Sequence, residues 1–215
     1  MLDTRARAML APLLDRVGAR IAAAGVPPLA LTGAGWVAGA ACCVAVAGQH
    51  WTLGLVLWLA NRLLDGLDGP VARVRRATDL GGFLDIVADF SIYAGFVLAV
   101  AVAVPDARLA CAALLAAYYV SGTAFLALSS LCERRRESLG DERSLRFVGG
   151  LAEGTETVIV YILFCLLPAY AAAIAWVFAA AVAVTAVQRV SFGIRVLRPA
   201  ASHTRSASPP TVSPG

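Results

Sequence analysis

The stretch "DGLDGPVARVRRATDLGGFLDIVAD", residues 65–89, places Asp65, Asp68, Asp85 and Asp89 on either side of the turn "RRATD" in an otherwise strongly apolar chain. With residue 77 as the turn centre, Asp65 and Asp89 are equidistant from it, and Asp68 and Asp85 nearly so. A helix rises about 1.5 Å per residue, so in a helical hairpin each pair sits at one depth. The i,i+3 spacing of Asp65 and Asp68 and the i,i+4 spacing of Asp85 and Asp89 put each pair on one helix face. Four carboxylates therefore face one another in one pocket.

Such a pocket cannot stay both charged and dry, because buried like charges repel and each is costly to desolvate. Either most of the aspartates are protonated or cations sit among them. Oxygen donors without His or Cys point to a hard divalent ion, Mg²⁺, Mn²⁺ or Ca²⁺. Four carboxylates suffice to bridge two ions, a recurring arrangement for displacement at phosphorus.

The surrounding composition sets the environment. Of 215 residues, 60% are hydrophobic and only 15% charged, and the mean hydropathy is +0.76. Soluble domains are about half apolar and a quarter charged. Several apolar runs approach the roughly 20 residues needed to cross a bilayer as helix. A soluble helical bundle would need polar outer faces that these runs lack. All basic residues are arginine, and the net charge is +4. In this setting that charge speaks to topology and anionic lipid headgroups, not to nucleic acid, for which there is no aromatic–basic motif. The five cysteines form no CxxC pair and read as small apolar packing residues. His50 and His203 are too isolated for a zinc site. The N-terminal segment has no cleavable-signal pattern.

The fold class expected is all-α: a polytopic membrane protein with six transmembrane helices and an N-terminal interfacial amphipathic helix. Residues 1–28 are the amphipathic helix and linker. Met9, Leu10, Leu13, Leu14, Val17 and Ile21 keep helical spacing over 2–24, Pro12 is a candidate kink, and "GVPP" breaks the helix. Residues 29–198 form the membrane domain, with spans near 30–48, 52–75, 81–104, 108–131, 152–168 and 170–192. Residues 199–215, rich in Pro, Ser and Ala, are expected to be disordered. Placing the N-terminus in the cytoplasm puts the N-terminal arginines, Arg73, Arg75, Arg76, the "ERRRES" loop, Arg143, Arg146 and the arginines after span six inside, against Arg108 outside. The aspartate turn then faces the cytoplasm.

Around the aspartates, Gly66, Gly69 and Ala72 form a stripe of small residues. They serve close helix packing or let a bulky phosphate ligand approach the backbone. Arg73 can counter a phosphate charge or act as a positive-inside anchor. Thr78 can cap the following helix or offer its hydroxyl to a phosphate.

Asp65-x2-Asp68-Gly69-x2-Ala72-Arg73, followed by Gly81-x3-Asp85-x3-Asp89, resembles the signature of the CDP-alcohol phosphatidyltransferase family (class I), integral membrane phospholipid synthases with a six-helix core. The resemblance covers the whole span plan, and its specific part is the quoted stretch. It implies that Asp65, Asp68, Asp85 and Asp89 ligate two Mg²⁺ or Mn²⁺ ions and that Asp89 also acts as general base on an acceptor hydroxyl. It implies that Gly69, Ala72, Arg73, Thr78 and Thr32 contact the CDP moiety. The partners implied are CDP-diacylglycerol, a polar alcohol acceptor and membrane lipids. Family members are often homodimers; the chain itself offers no sign either way. Two departures stand out: the turn between Arg73 and Gly81 is one residue shorter than the family pattern, and "PLALT" has Leu29 where many members have asparagine.

For the acceptor, Arg146 and Arg189 suit a phosphate-bearing alcohol, whereas Glu153 and Glu156 suit an amine or polyol. Their bland readings are topology for the arginines and helix N-terminal acids for the glutamates. Glycerol 3-phosphate stands first on base rate alone, with inositol, inositol phosphate and serine open. The rival reading is an ion or proton transporter using the intramembrane aspartates, but the chain has no internal repeat and its acids cluster toward one membrane face. A structural, non-catalytic member of the fold would be expected to lack a metal aspartate, and none is missing.

Overall fold

The computed structural model describes residues 2–134 and 154–198, excepting the side chains of 2–8, 133 and 134. All regular structure among the described residues is helical: α1 (Leu2–Ala23), α2 (Pro28–Ala47), α3 (Trp51–Arg75), α4 (Asp79–Ala103), α5 (Arg108–Arg134), α6 (Gly154–Leu166) and α7 (Ala171–Leu197). The expected spans match these boundaries within a few residues. The Glu133–Arg146 stretch beyond Arg134, with Arg143 and Arg146, then Glu153 and the tail from Pro199, all lie outside the described residues.

Among the described residues, four helical segments are long and apolar enough to cross a membrane: Pro28–Ala47, Asp79–Ala103, Pro105–Cys132 and Pro168–Leu197. The other two expected crossings depart for different reasons. α3 has the length, 25 residues, but carries Arg62, Asp65, Asp68, Arg73 and Arg75. α6 is apolar but has 13 residues.

Tight connections set the neighbours. α2 and α3 are joined by Gly48–His50, where Gln49 takes φ 62° and donates from Nε2 to the Ala103 carbonyl at the end of α4, 3.0 Å away. α3 and α4 are joined by residues 76–78, and the reversal holds Arg76 at φ 75°, a strained backbone for a residue with a side chain. α3 packs most extensively on α2, and α5 on α7.

The core lies in the half of the bundle away from the 76–78 turn. Trp58, Phe96, Tyr161 and Phe164 are fully buried. Phe96 and Tyr161 stack with centroids 4.2 Å apart, and Trp58 lies 4.9 Å from Tyr161. Aromatic rings supply large buried area, and their polar tips need partners. Tyr161 donates to the Tyr93 carbonyl at 2.7 Å, and Trp58 Nε1 points to the Val158 carbonyl.

α1 divides its apolar stripe. Leu14, Val17 and Ile21 pack with Leu31, Leu67 and Val71 of the bundle, while Met9, Leu10 and Leu13 remain exposed, as an interfacial helix requires. Pro12 lies inside the continuous helix. Gly18 makes the crossing with α3 possible: a Cβ there would meet the Pro70 Cβ at 2.5 Å.

Candidate active site

The site is built where the halves of α3 and α4 next to the 76–78 turn meet the start of α2. All four aspartates are half-buried. Carboxylate oxygens of Asp65, Asp68 and Asp85 lie within 4.8 Å of one another. With only hard oxygen donors at that separation, the trio fits a divalent ion such as Mg²⁺ or Mn²⁺. Thr32, one turn into α2, donates its hydroxyl to Asp68 Oδ2 at 2.9 Å.

Asp89 stands apart from the trio. Its Oδ1 accepts from Arg62 Nη2 at 2.8 Å, and Arg62 Nη1 reaches Asp65 Oδ2 at 3.3 Å. The shared arginine brings Asp65 and Asp89 within the reach of one guanidinium. Arg62 is held from every side. Its Nε donates to Asn61 Oδ1 and its Nη1 to the Tyr93 hydroxyl, each at 2.8 Å. The guanidinium lies over the Trp58 and Tyr93 rings, 4.8 and 5.1 Å from their centroids. Buried Asn61 is itself anchored, donating to the Gly35 carbonyl of α2 at 2.8 Å. Sequence reading passed over Asn61, Arg62 and Tyr93. The available signal was a lone arginine inside an apolar run, three residues before Asp65 and on the same helix face.

A cavity of about 520 Å³ opens beside the trio, lined in part by Thr32, Asp68, Gly69, Ala72, Thr78 and Asp85. That volume lies in the range of small-ligand sites, roughly 300–1,000 Å³. A second, ion-sized gap of about 10 Å³ continues inward, sharing Thr32 and Asp85 and reaching Asp65 and Asp89.

Four of the five residues expected at the nucleotide therefore line the large cavity. Arg73 does not: its Nη2 pairs with Asp15 of α1 at 2.7 Å, and the arginines lining the cavity are Arg75 and Arg76. The difference follows from α1 lying along α3, which offers Arg73 an acid. Thr78 adopts the capping role, accepting from the Gly81 amide at 3.1 Å, and its side chain still borders the cavity.

The acceptor candidates are not gathered there. Arg189 lines neither cavity; its Nη1 donates to the Ser121 hydroxyl at 2.9 Å, and its guanidinium lies 5.2 Å from the Phe125 ring centroid. Glu156 sits in the first turn of α6. Arg146 and Glu153 lie outside the described residues.

An all-helical membrane bundle with an aspartate-floored cavity at a helical hairpin defines a class, and the comparisons agree with it. The chain belongs to the CDP-alcohol phosphatidyltransferase family, whose profile matches residues 25–188. It is similar to the inner membrane protein YnjF of Escherichia coli, 38% identical over 204 residues that cover 92% of this chain and 98% of the other. Its fold is similar to that of Mycobacterium tuberculosis phosphatidylinositol phosphate synthase, crystallised with CDP-DAG bound. The TM-score there is 0.66 at 21% identity, covering 85% of this chain and 94% of that one. The chain is an integral membrane protein of phospholipid biosynthesis.

Proposed function

We propose that this protein transfers the phosphatidyl group of CDP-diacylglycerol to the hydroxyl of a small polar alcohol and releases CMP. The observation that carries the reading is the cavity itself: Asp68 and Asp85 at its floor, Gly69 and Ala72 in its wall, in a family defined by this chemistry. The bound CDP-DAG of the structural neighbour supports the choice of donor.

In this reading Gly69 and Ala72 leave room for the diphosphate, and Arg75 and Arg76 offset its charge at the mouth. Thr32 holds the Asp68 carboxylate in place. The acceptor oxygen attacks the phosphorus bearing the diacylglycerol ester, the bond from that phosphorus to the CMP oxygen breaks, and CMP leaves with the electron pair. Because Arg62 engages Oδ1 of Asp89, Oδ2 is the atom we assign to receive or orient the acceptor's proton. A Mg²⁺ or Mn²⁺ ion on Asp65, Asp68 and Asp85 would supply charge neutralisation on the diphosphate. The arginine distribution supports a cytoplasmic site, where a water-soluble alcohol meets a donor whose tails stay in the bilayer.

The acceptor is a small polar alcohol, with glycerol 3-phosphate the first to try and inositol, inositol phosphate and serine next. The test is CMP release from CDP-diacylglycerol by detergent-purified protein with Mg²⁺ or Mn²⁺ and each alcohol in turn. Release that requires one acceptor, and the matching lipid product, is the expected result. Absence of CMP release with every acceptor would reject the reading.

A further inference from the structure

Among the described residues, two that carry a side chain hold a positive φ: Gln49 at 62° and Arg76 at 75°. Such a backbone costs free energy for any residue with a Cβ, and it persists only where other contacts impose it. At Gln49 that contact is present: the side chain donates to the Ala103 carbonyl and ties the α2–α3 turn to the end of α4. Arg76 has no such tie. Its side chain is exposed and makes no hydrogen bond or ion pair among the described residues.

Arg76 is the residue that ends α3, with ψ 117°. Glycine is the usual residue at a helix end of positive φ, because it has no Cβ to strain. A glycine would make the same reversal at lower cost, so the arginine side chain contributes nothing to the turn itself. It does line the cavity of about 520 Å³, together with Arg75, Asp68 and Asp85. That cavity therefore carries both signs of charge: carboxylates suited to a divalent ion, and guanidiniums with no partner in the described protein. The anion that a divalent ion and a guanidinium both grip is a phosphate chain.

We propose that Arg76 binds a phosphate of the nucleoside diphosphate, and that the strained turn is retained because it keeps this guanidinium at the cavity. The proposal rests on the reading of the cavity as the CDP-diacylglycerol site. Contact with the diphosphate offsets the strain, which the ligand-free protein carries without relief.

The test pairs stability with ligand binding. Full-length protein in detergent with Mg²⁺ is titrated with CDP by calorimetry, and its unfolding midpoint is measured without nucleotide. Arg76→Gly is expected to unfold about 2 °C or more above wild type. It is expected to bind CDP about 10-fold more weakly, the loss of one hydrogen bond between charged groups. Arg76→Lys keeps the charge and the Cβ, and is expected to stay near wild type in both measurements. Weaker CDP binding by Arg76→Gly with no rise in its midpoint would overturn the proposal, because the turn would not be strained. Arg76→Lys binding CDP as weakly as Arg76→Gly would overturn it too, because charge would not be what the ligand meets. Wild type and Arg76→Gly binding CDP equally would reject this proposal and leave the donor reading intact. No CDP binding by wild type would reject both.

Discussion

The two halves of α3 are built on opposite principles. From Trp51 to Trp58 the helix enters the aromatic core, where Trp58, Phe96 and Tyr161 are fully buried. From Asn61 to Arg75 it carries charges beside two cavities, half-buried at Arg62, Asp65 and Asp68 and exposed at Arg73 and Arg75. Arg62 sits at the seam, with the Trp58 and Tyr93 rings against its guanidinium and aspartates on its donors. The comparison teaches that the reactive half is held in shape by the inert half. Rings position the arginine and the arginine positions Asp89; Trp58 Nε1 and the Tyr161 hydroxyl point to backbone carbonyls, and the Tyr93 hydroxyl accepts from Arg62.

Substitutions can break this division in order of size. Asp85→Asn removes one of the three converging carboxylates with little change in volume. CMP release is expected to fall more than about 100-fold, beyond the loss typical of an outer-shell change at a metal site. Thermal stability in detergent should barely change, and an active Asp85→Asn protein would show that the trio is not the reacting centre.

Trp58→Ala attacks the other half. Removing a buried Trp typically costs about 3–5 kcal/mol, to be measured as a lowered unfolding midpoint. Because Trp58 also backs Arg62, surviving folded protein should lose activity as well. Full specific activity in that fraction would separate the two halves more completely than the contacts imply.

Thr32→Val deletes the hydroxyl that donates to Asp68 and keeps the shape of the side chain. A hydrogen bond to a charged group contributes about 1.5–3 kcal/mol. The expectation is a drop of about 10-fold or more in kcat/KM for the CDP-lipid with an unfolding midpoint close to wild type.

Thr78→Ala is the smallest change and the sharpest discriminator. Loss of an N-cap costs about 1 kcal/mol, which should appear as a small fall in stability. Unchanged KM for the CDP-lipid would confine Thr78 to capping; a rise of 10-fold or more would assign its hydroxyl to the nucleotide as well.

Much of this arrangement was legible in the chain. Apolar runs and their breakers located the helices, because a bilayer demands about 20 apolar residues per crossing and internal satisfaction of every backbone group. The mirror spacing of the aspartates about residue 77 foretold that they would meet. The roles of the arginines were not legible. Arg73 and Arg75 are near neighbours on one helix, yet the first pairs with Asp15 and the second lines the cavity. Their difference depends on where α1 lies, and local spacing carries no record of that.

The sequence by itself therefore determined the helices, the membrane setting and the placing of four aspartates on the facing sides of one hairpin, since these follow from periodicity and from helical geometry. Tertiary structure alone decided that the four divide into three and one. That division needs Gly35 of α2 to hold Asn61 and Tyr93 of α4 to clamp Arg62. Each is a contact between helices, and a contact between helices exists only once the apolar faces have packed.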